Sequence, residues 1–195
     1  MNLSPQALYS AAKHTLTDPA AAARQVMALR LTTSEAGIAL AAIAVSATLL
    51  TSLIQLTFGR VSDAAAEGIF NHPLLLAVGQ FAVMGSCAFL MWRVGRLFGG
   101  LGTFAQSLSL VAWLDAVLIL LNLAGVVVLL FLPVLAPLIL IALFLALFYL
   151  LTHFTAALNG FTSLPKTLIA ILLTGFLTLV LISLLLFPFL PVPHV

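Results

Sequence analysis

Charge is what this sequence has least of. Seven Lys and Arg and five Asp and Glu make up 6% of its 195 residues, where an ordinary soluble domain carries roughly 25%. So few charges cannot cover the surface of a water-soluble domain of this size. That excludes a soluble enzyme and a nucleic-acid binder, and with 64% apolar residues a disordered chain as well. Cysteine is nearly absent. Cys87 stands alone, which rules out an internal disulfide and a cysteine-cluster zinc site; it reads as a small buried hydrophobe. His14, His72 and His194 are scattered without ligand spacing, and no Ser/His/Asp or Cys/His arrangement falls where water and substrate would both arrive. No metal, cofactor or catalytic residue is expected. The net charge of +2 sets orientation in a bilayer rather than choice of partner.

Long apolar runs are what the chain has instead. A membrane-spanning helix needs about 20 mostly apolar residues. Five stretches qualify, at residues 36–58, 73–92, 107–132, 134–158 and 167–187. Glu35 and Arg60 bound the first, Arg93 and Arg96 close the second, and Pro188, Pro191 and Pro193 end the fifth. The run from Ser107 to Leu158 is too long for one crossing, and Pro133 with Pro137 marks the hairpin that divides it. The fold class is therefore all-α, a polytopic integral membrane protein.

The first 35 residues differ. No apolar run begins before Ala36, so no cleavable signal peptide is expected. Ser4-Pro5 and Asp18-Pro19 each read as an N-cap followed by proline at the first helical position. Two short helices result, one with Leu8, Ala12 and Leu16 on a face, the other with Ala22, Val26, Met27 and Leu31. Such faces suit helices lying on a membrane surface; a solvated helical tail is the alternative. Residues 1–35 thus form an amphipathic leader, 36–190 the transmembrane domain and 191–195 a short tail.

Lys13, Arg24, Arg30, Arg93, Arg96 and Lys166 fall on one side of a five-span chain, and Arg60 alone on the other, near Asp63 and Glu67. Basic residues mark the cytoplasmic side and suit contact with the lipid surface. The expectation is a cytoplasmic N-terminus and leader, and an extracytoplasmic C-terminus.

Polar residues inside spans are the candidates for chemistry, because lipid makes them costly. Asp115 is the one acid within a span, and Asn122 shares its helical face at i+7. His153 lies in the fourth span at a similar depth, with Tyr149 one turn before it. Asp115, Asn122, His153 and Tyr149 are therefore a candidate intramembrane cluster. They would either handle a proton or cation, or join helices by hydrogen bonds. Gln55 and Gln80 also need partners within spans. Gly37, Ala41, Ala44, Thr48 and Ser52 form a small-residue face on the first span, suited to close helix packing. The glycines of 95–102 lack the G-K-[ST] ending and preceding strand of a phosphate-binding loop, so they read as a tight turn.

Taken together, the Thr17-Asp18-Pro19 step, the glycine-rich segment Gly95 to Phe104, Trp113 in the third span and Leu158-Asn159-Gly160-Phe161 after the fourth resemble the Yip family. These are five-span membrane proteins named for interaction with Ypt/Rab GTPases. The likeness covers nearly the whole chain and lies with the bacterial branch. It implies residence in a bacterial cytoplasmic membrane. The eukaryotic branch adds a long acidic tail and a D-L-Y-G-P motif, and this chain has neither, so a Rab-type GTPase is not expected among its partners. Those partners are the lipid bilayer and other membrane proteins. The favoured function is a non-enzymatic membrane-organising or partner-binding scaffold; the alternative is a small transporter or channel-like protein using Asp115, Asn122 and His153.

Overall fold

Capping chemistry sets where the helices begin. A computed structural model describes residues 5–58 and 72–186 of the chain. Helix α1 (Pro5–Thr17) is followed at once by α2 (Pro19–Ala28). Asp18 Oδ1 accepts the Ala21 N–H at 2.9 Å, and Pro19 occupies the first helical position, where a missing N–H costs nothing. The matching cap expected at Ser4 lies outside the described residues, as do Arg60, Asp63, Glu67, the prolines after Phe187, His194 and the tail 191–195.

Helix α3 (Thr33–Phe58) opens on a reciprocal pair. Thr32 N–H and hydroxyl both donate to Glu35 Oε2 at 2.8 Å, and Glu35 N–H donates to Thr32 Oγ1 at 3.3 Å. Glu35 is thus a cap that favours the positive helix end, and the helix starts ahead of it rather than at Ala36. Helix α4 (Pro73–Leu97) runs past Trp92 through Arg93 and Arg96, since cations are favourable in a last turn. Helix α5 (Phe104–Phe131) starts with a full capping box between Thr103 and Gln106. A short 3-10 turn (Pro133–Leu135) leads into α6 (Ala136–Asn159), so the long apolar run is divided at Pro133. Gly125 of α5 faces Ile139 of α6 so closely that a Cβ there would come within 2.8 Å of the isoleucine methyl. Helix α7 (Leu164–Leu186) closes the described chain. Among the described residues all regular structure is helical.

Four helical segments, Thr33–Gln55, Pro73–Leu97, Phe104–Phe131 and Pro133–Asn159, are long and apolar enough to cross a membrane, and Leu164–Val180 is a shorter apolar helix. Their outer faces are apolar and uncovered: Leu74, Phe131 and Val134 are each about 80% exposed. Surface of that kind suits a lipid solvent, where exposed side chains lose nothing and exposed backbone would.

Helix α5 is the hub. It packs against α3, α4, α6 and both leader helices. Ser107 to Ala112 and Leu114 are all buried. From α3 come Ala36, Leu40, Ala44 and Thr48. Of the small-residue face expected at Gly37, Ala41, Ala44, Thr48 and Ser52, Ala44 and Thr48 are buried, whereas Gly37, Ala41 and Ser52 are only half-buried, Ala36 and Leu40 taking the buried places at the start of the helix. Helix α4 adds Met84, Ala88 and Met91, and α6 adds Leu150, Phe154 and Leu158.

The leader belongs to this core. Ala12, Thr15, Pro19, Ala22 and Ala23 are buried, and Leu16, Val26, Met27 and Leu31 pack on the core cluster. Its apolar faces are turned to α5 and α6 rather than to lipid or water. Trp113 Nε1–H donates to Thr15 Oγ1 at 3.1 Å, and the Thr15 hydroxyl donates to Ala11 O at 2.8 Å. Replacing Thr15 by valine keeps the shape and leaves the indole N–H without its acceptor. Thermal unfolding in detergent should show a loss of about 1–2 kcal/mol. Proteolysis between α2 and α3 should become faster; unchanged stability and cleavage would mean that the bond does not hold the leader.

Candidate functional site

A cavity of about 360 Å³ lies among α3, α4 and α5. Its polar lining is Asp115 and Asn122 from α5, Gln80 from α4, and Thr48 and Thr51 from α3. The apolar part includes Leu50, Leu76, Leu118 and Ile119. The i+7 spacing of Asp115 and Asn122 brings both to this wall, as two full helical turns require. Gln80, whose need for a partner was legible in the sequence, stands across from them. The lining residues sit in the second half of α3 and the first third of α4, so the cavity occupies the half of the bundle away from the leader.

The two threonine hydroxyls are committed as donors. Thr48 donates to Ala44 O at 2.9 Å and Thr51 to Ala47 O at 3.0 Å. Each therefore offers only lone pairs to the cavity. The Asp115 carboxylate makes no hydrogen bond or ion pair with the described residues. Thr51 escaped the sequence reading, since a lone threonine on an apolar helix is ordinary; its spacing of three from Thr48 is the signal that places both on one side.

His153 and Tyr149 are elsewhere. Their rings pack together, with centroids 4.7 Å apart and edge-on. Tyr149 OH donates to Leu16 O across a long 3.4 Å, and His153 lies within electrostatic reach of Asp18. This pair faces the leader, whereas α6 contributes nothing to the cavity wall. His153 is therefore not among the residues that line the cavity with Asp115. Equal depth in two helices fixes height and leaves the angle about the bundle axis open.

The six basic residues Lys13, Arg24, Arg30, Arg93, Arg96 and Lys166 are all exposed and all belong to the leader end of the bundle. Among the described residues none of them forms an ion pair. No group of His, Cys, Asp and Glu suited to a metal occurs there either.

The glycine-rich segment and the Asn159-Gly160 step, distant in sequence, meet at this same end. Gly99, at φ +85°, closes α4 with a Gly100 N–H to Gly95 O bond of 2.9 Å. Gly160, at φ +72°, closes α6 in the same way, with Phe161 N–H on Ala156 O at 2.9 Å. Asn159 is only 4% exposed; its Nδ2 donates to Thr155 O at 3.1 Å and to Met91 O at 3.4 Å. A Cβ at Gly95 or Gly100 would fall on the Asn159 carboxamide, and one at Gly102 within 2.5 Å of Leu158 Cγ. The Cα–H bonds of Gly95 and Gly100 thus point at Asn159 Oδ1, which has no conventional donor. Phe104, just beyond this loop, packs on Trp92 and Phe89 with centroids at 5.6 and 6.4 Å.

Comparison with known protein families matches residues 13–185 to the Yip1 domain. The chain belongs to the Yip1 family. No curated protein and no solved structure matches it. With its apolar helices, membership makes it an integral membrane protein. In this Yip1 domain the segments that carried the resemblance work in pairs, Trp113 with the leader and Asn159 with the glycine loop.

Gly95→Ala should destabilise the protein by about 1–3 kcal/mol, the usual cost of overpacking. Gly79→Ala, where nothing lies within 4 Å, should be neutral or stabilising, since alanine is the better helix former. Adding Asn159→Ala to Gly95→Ala should recover part of the loss in a double-mutant cycle. Strict additivity would show that the two sites do not touch.

Proposed function

We propose that this Yip1-family protein is a non-enzymatic scaffold of the bacterial cytoplasmic membrane, acting in membrane organisation or in binding another membrane protein. The transmembrane domain is taken as residues 36–190 with five spans, α7 being the fifth. The leader 1–35 and N-terminus are cytoplasmic, and the tail 191–195 is periplasmic. The observation that carries the reading is the collection of six exposed cations at the leader end, none in an ion pair among the described residues. Positive charge is retained on the cytoplasmic side, and there it meets anionic headgroups. The family is one not known as enzymatic, which supports the absence of catalysis.

The leader supports a scaffold in a second way. It is docked by its apolar face, so its outer face is presented in a defined direction. Tyr9, Lys13, His14, Thr17, Arg24 and Gln25 are exposed there. A rigid basic platform at the membrane surface suits lipid headgroups or the cytoplasmic face of another membrane protein.

Reporter fusions after Val195 should be active in the periplasm, and fusions after Leu101 in the cytoplasm. A cytoplasmic readout at Val195 would mean an even number of spans. A photoreactive residue in place of Gln25 should give discrete adducts with lipid or one membrane protein in cells. Adducts with soluble proteins alone would count against the scaffold.

A further inference from the structure

The cavity at Asp115 has a chemistry that a scaffold does not use. It gathers one carboxylate, two carboxamides and two hydroxyls in a half-open cleft, where Thr48 is buried, Asp115, Asn122 and Gln80 are half-buried and Thr51 is exposed, beside a core that is mostly apolar. Polar groups at this depth are costly unless they are paired or serve a ligand. Asp115 is not paired with any described residue. Neither threonine can donate into the space, because each hydroxyl hydrogen is held by its own helix. The Gln80 and Asn122 carboxamides bring two N–H donors each, but acceptor sites still outnumber them: the Asp115 oxygens, the two carboxamide carbonyls, and the oxygens of Thr48 and Thr51. A ligand that completes it must bring donors and positive charge.

Size and shape narrow the class. Hard metal ions need oxygens on all sides at about 2.0–2.6 Å. This cavity, at about 360 Å³, has room for roughly a dozen waters at ~30 Å³ each. Its one carboxylate stands at one wall, while Leu50, Leu76, Leu118 and Ile119 supply an apolar lining. An ammonium head has three N–H donors for the acceptors, and an alkyl stem suits the leucine and isoleucine side.

We propose that the α3–α4–α5 cavity binds a small primary alkylammonium ion, its head on Asp115, Asn122 and Gln80 and its stem against Leu76 and Leu118. The charge of Asp115 is then compensated inside the bundle by the ligand. Thr48 and Thr51 accept from the head, and their commitment to α3 makes them insensitive to which donor arrives.

The full chain in detergent or nanodiscs can be titrated with n-butylammonium chloride while thermal unfolding is followed. Tetramethylammonium, with equal charge and no N–H, and sodium at matched ionic strength are the comparisons. Butylammonium alone should raise the midpoint saturably. Asp115→Asn should weaken its apparent affinity at least about tenfold, as loss of a buried charge partner does, and Asn122→Leu should weaken it less. An equal effect of tetramethylammonium or sodium, an Asp115→Asn response unchanged from the parent, or no saturable shift up to about 100 mM would overturn the proposal. Should Asp115→Asn fail to fold, the parent chain still decides. Butylammonium, but not tetramethylammonium, should protect Asp115 from esterification by a membrane-permeant diazo reagent, which transfers its alkyl group to the carboxyl with loss of N2 and does not couple the amine, read by mass spectrometry, and undiminished labelling overturns the proposal equally.

Discussion

Close backbone approach at the leader end is the constraint on which the rest of this bundle depends. In lipid the tails are as apolar as leucine, so helices gain little by burying leucine against leucine. They associate where small residues let them interdigitate and where polar groups find partners. Asn159 meets both conditions. It occupies the space that side chains at Gly95 and Gly100 would fill, and its amide donates to carbonyls of both α4 and α6. The same loop carries Thr103, which caps α5. One carboxamide thereby ties the end of α4, the start of α5 and the end of α6 to each other. The positive φ of Gly99 and of Gly160 turns the chain sharply enough to keep all three ends together.

With those ends held, α5 becomes the axis of the fold. Its stretch from Ser107 to Ala112 is buried all round, and the covering on one side is supplied by the leader. Thr15 provides the one polar acceptor that Trp113 needs, and alanines at 12, 22 and 23 let the short helices lie close. The second half of α5 has no leader above it. From the middle of α5 onward the space between α3 and α4 stays open and polar, with Asp115 near mid-helix and Asn122 two turns further along. A second, mostly apolar cavity of about 460 Å³ lies toward the leader end, lined by Val94, Gly95 and Phe98 of α4 and by Thr167 and Ile171 of α7, so what sets the Asp115 cavity apart is its polar lining rather than open space.

The arrangement also separates two kinds of polarity. Exposed cations mark the leader end, whereas the uncharged polar groups gathered around Asp115 lie in the opposite half. The Tyr149–His153 pair belongs with the leader, through Leu16 O and Asp18, and takes no part in the cavity. The exposed cations and the polar cavity thus belong to different ends of the same molecule.

Much of this was open to reading from the residues alone. Apolar runs of membrane length, the division at Pro133, the Asp18-Pro19 start and the grouping of basic residues are local properties, set by composition and by chemistry within one helical turn. The i+7 pairing of Asp115 with Asn122 is equally local, because helical geometry dictates it. What lay beyond reach was rotation and approach. Each span is apolar almost all round, so no periodicity says which face meets which neighbour. That left unread the burial of Ala36 and Leu40 at the start of α3, the packing of His153 with Tyr149 beside the leader, and the docking of the leader on α5 and α6. Only the packing of α3, α4 and α5 placed Gln80 and Thr51 beside Asp115, and only the meeting of two turns, some sixty residues apart, gave Asn159 its glycines. Such contacts depend on how side-chain volumes fill a shared space, and a single helix read in isolation has no record of that space.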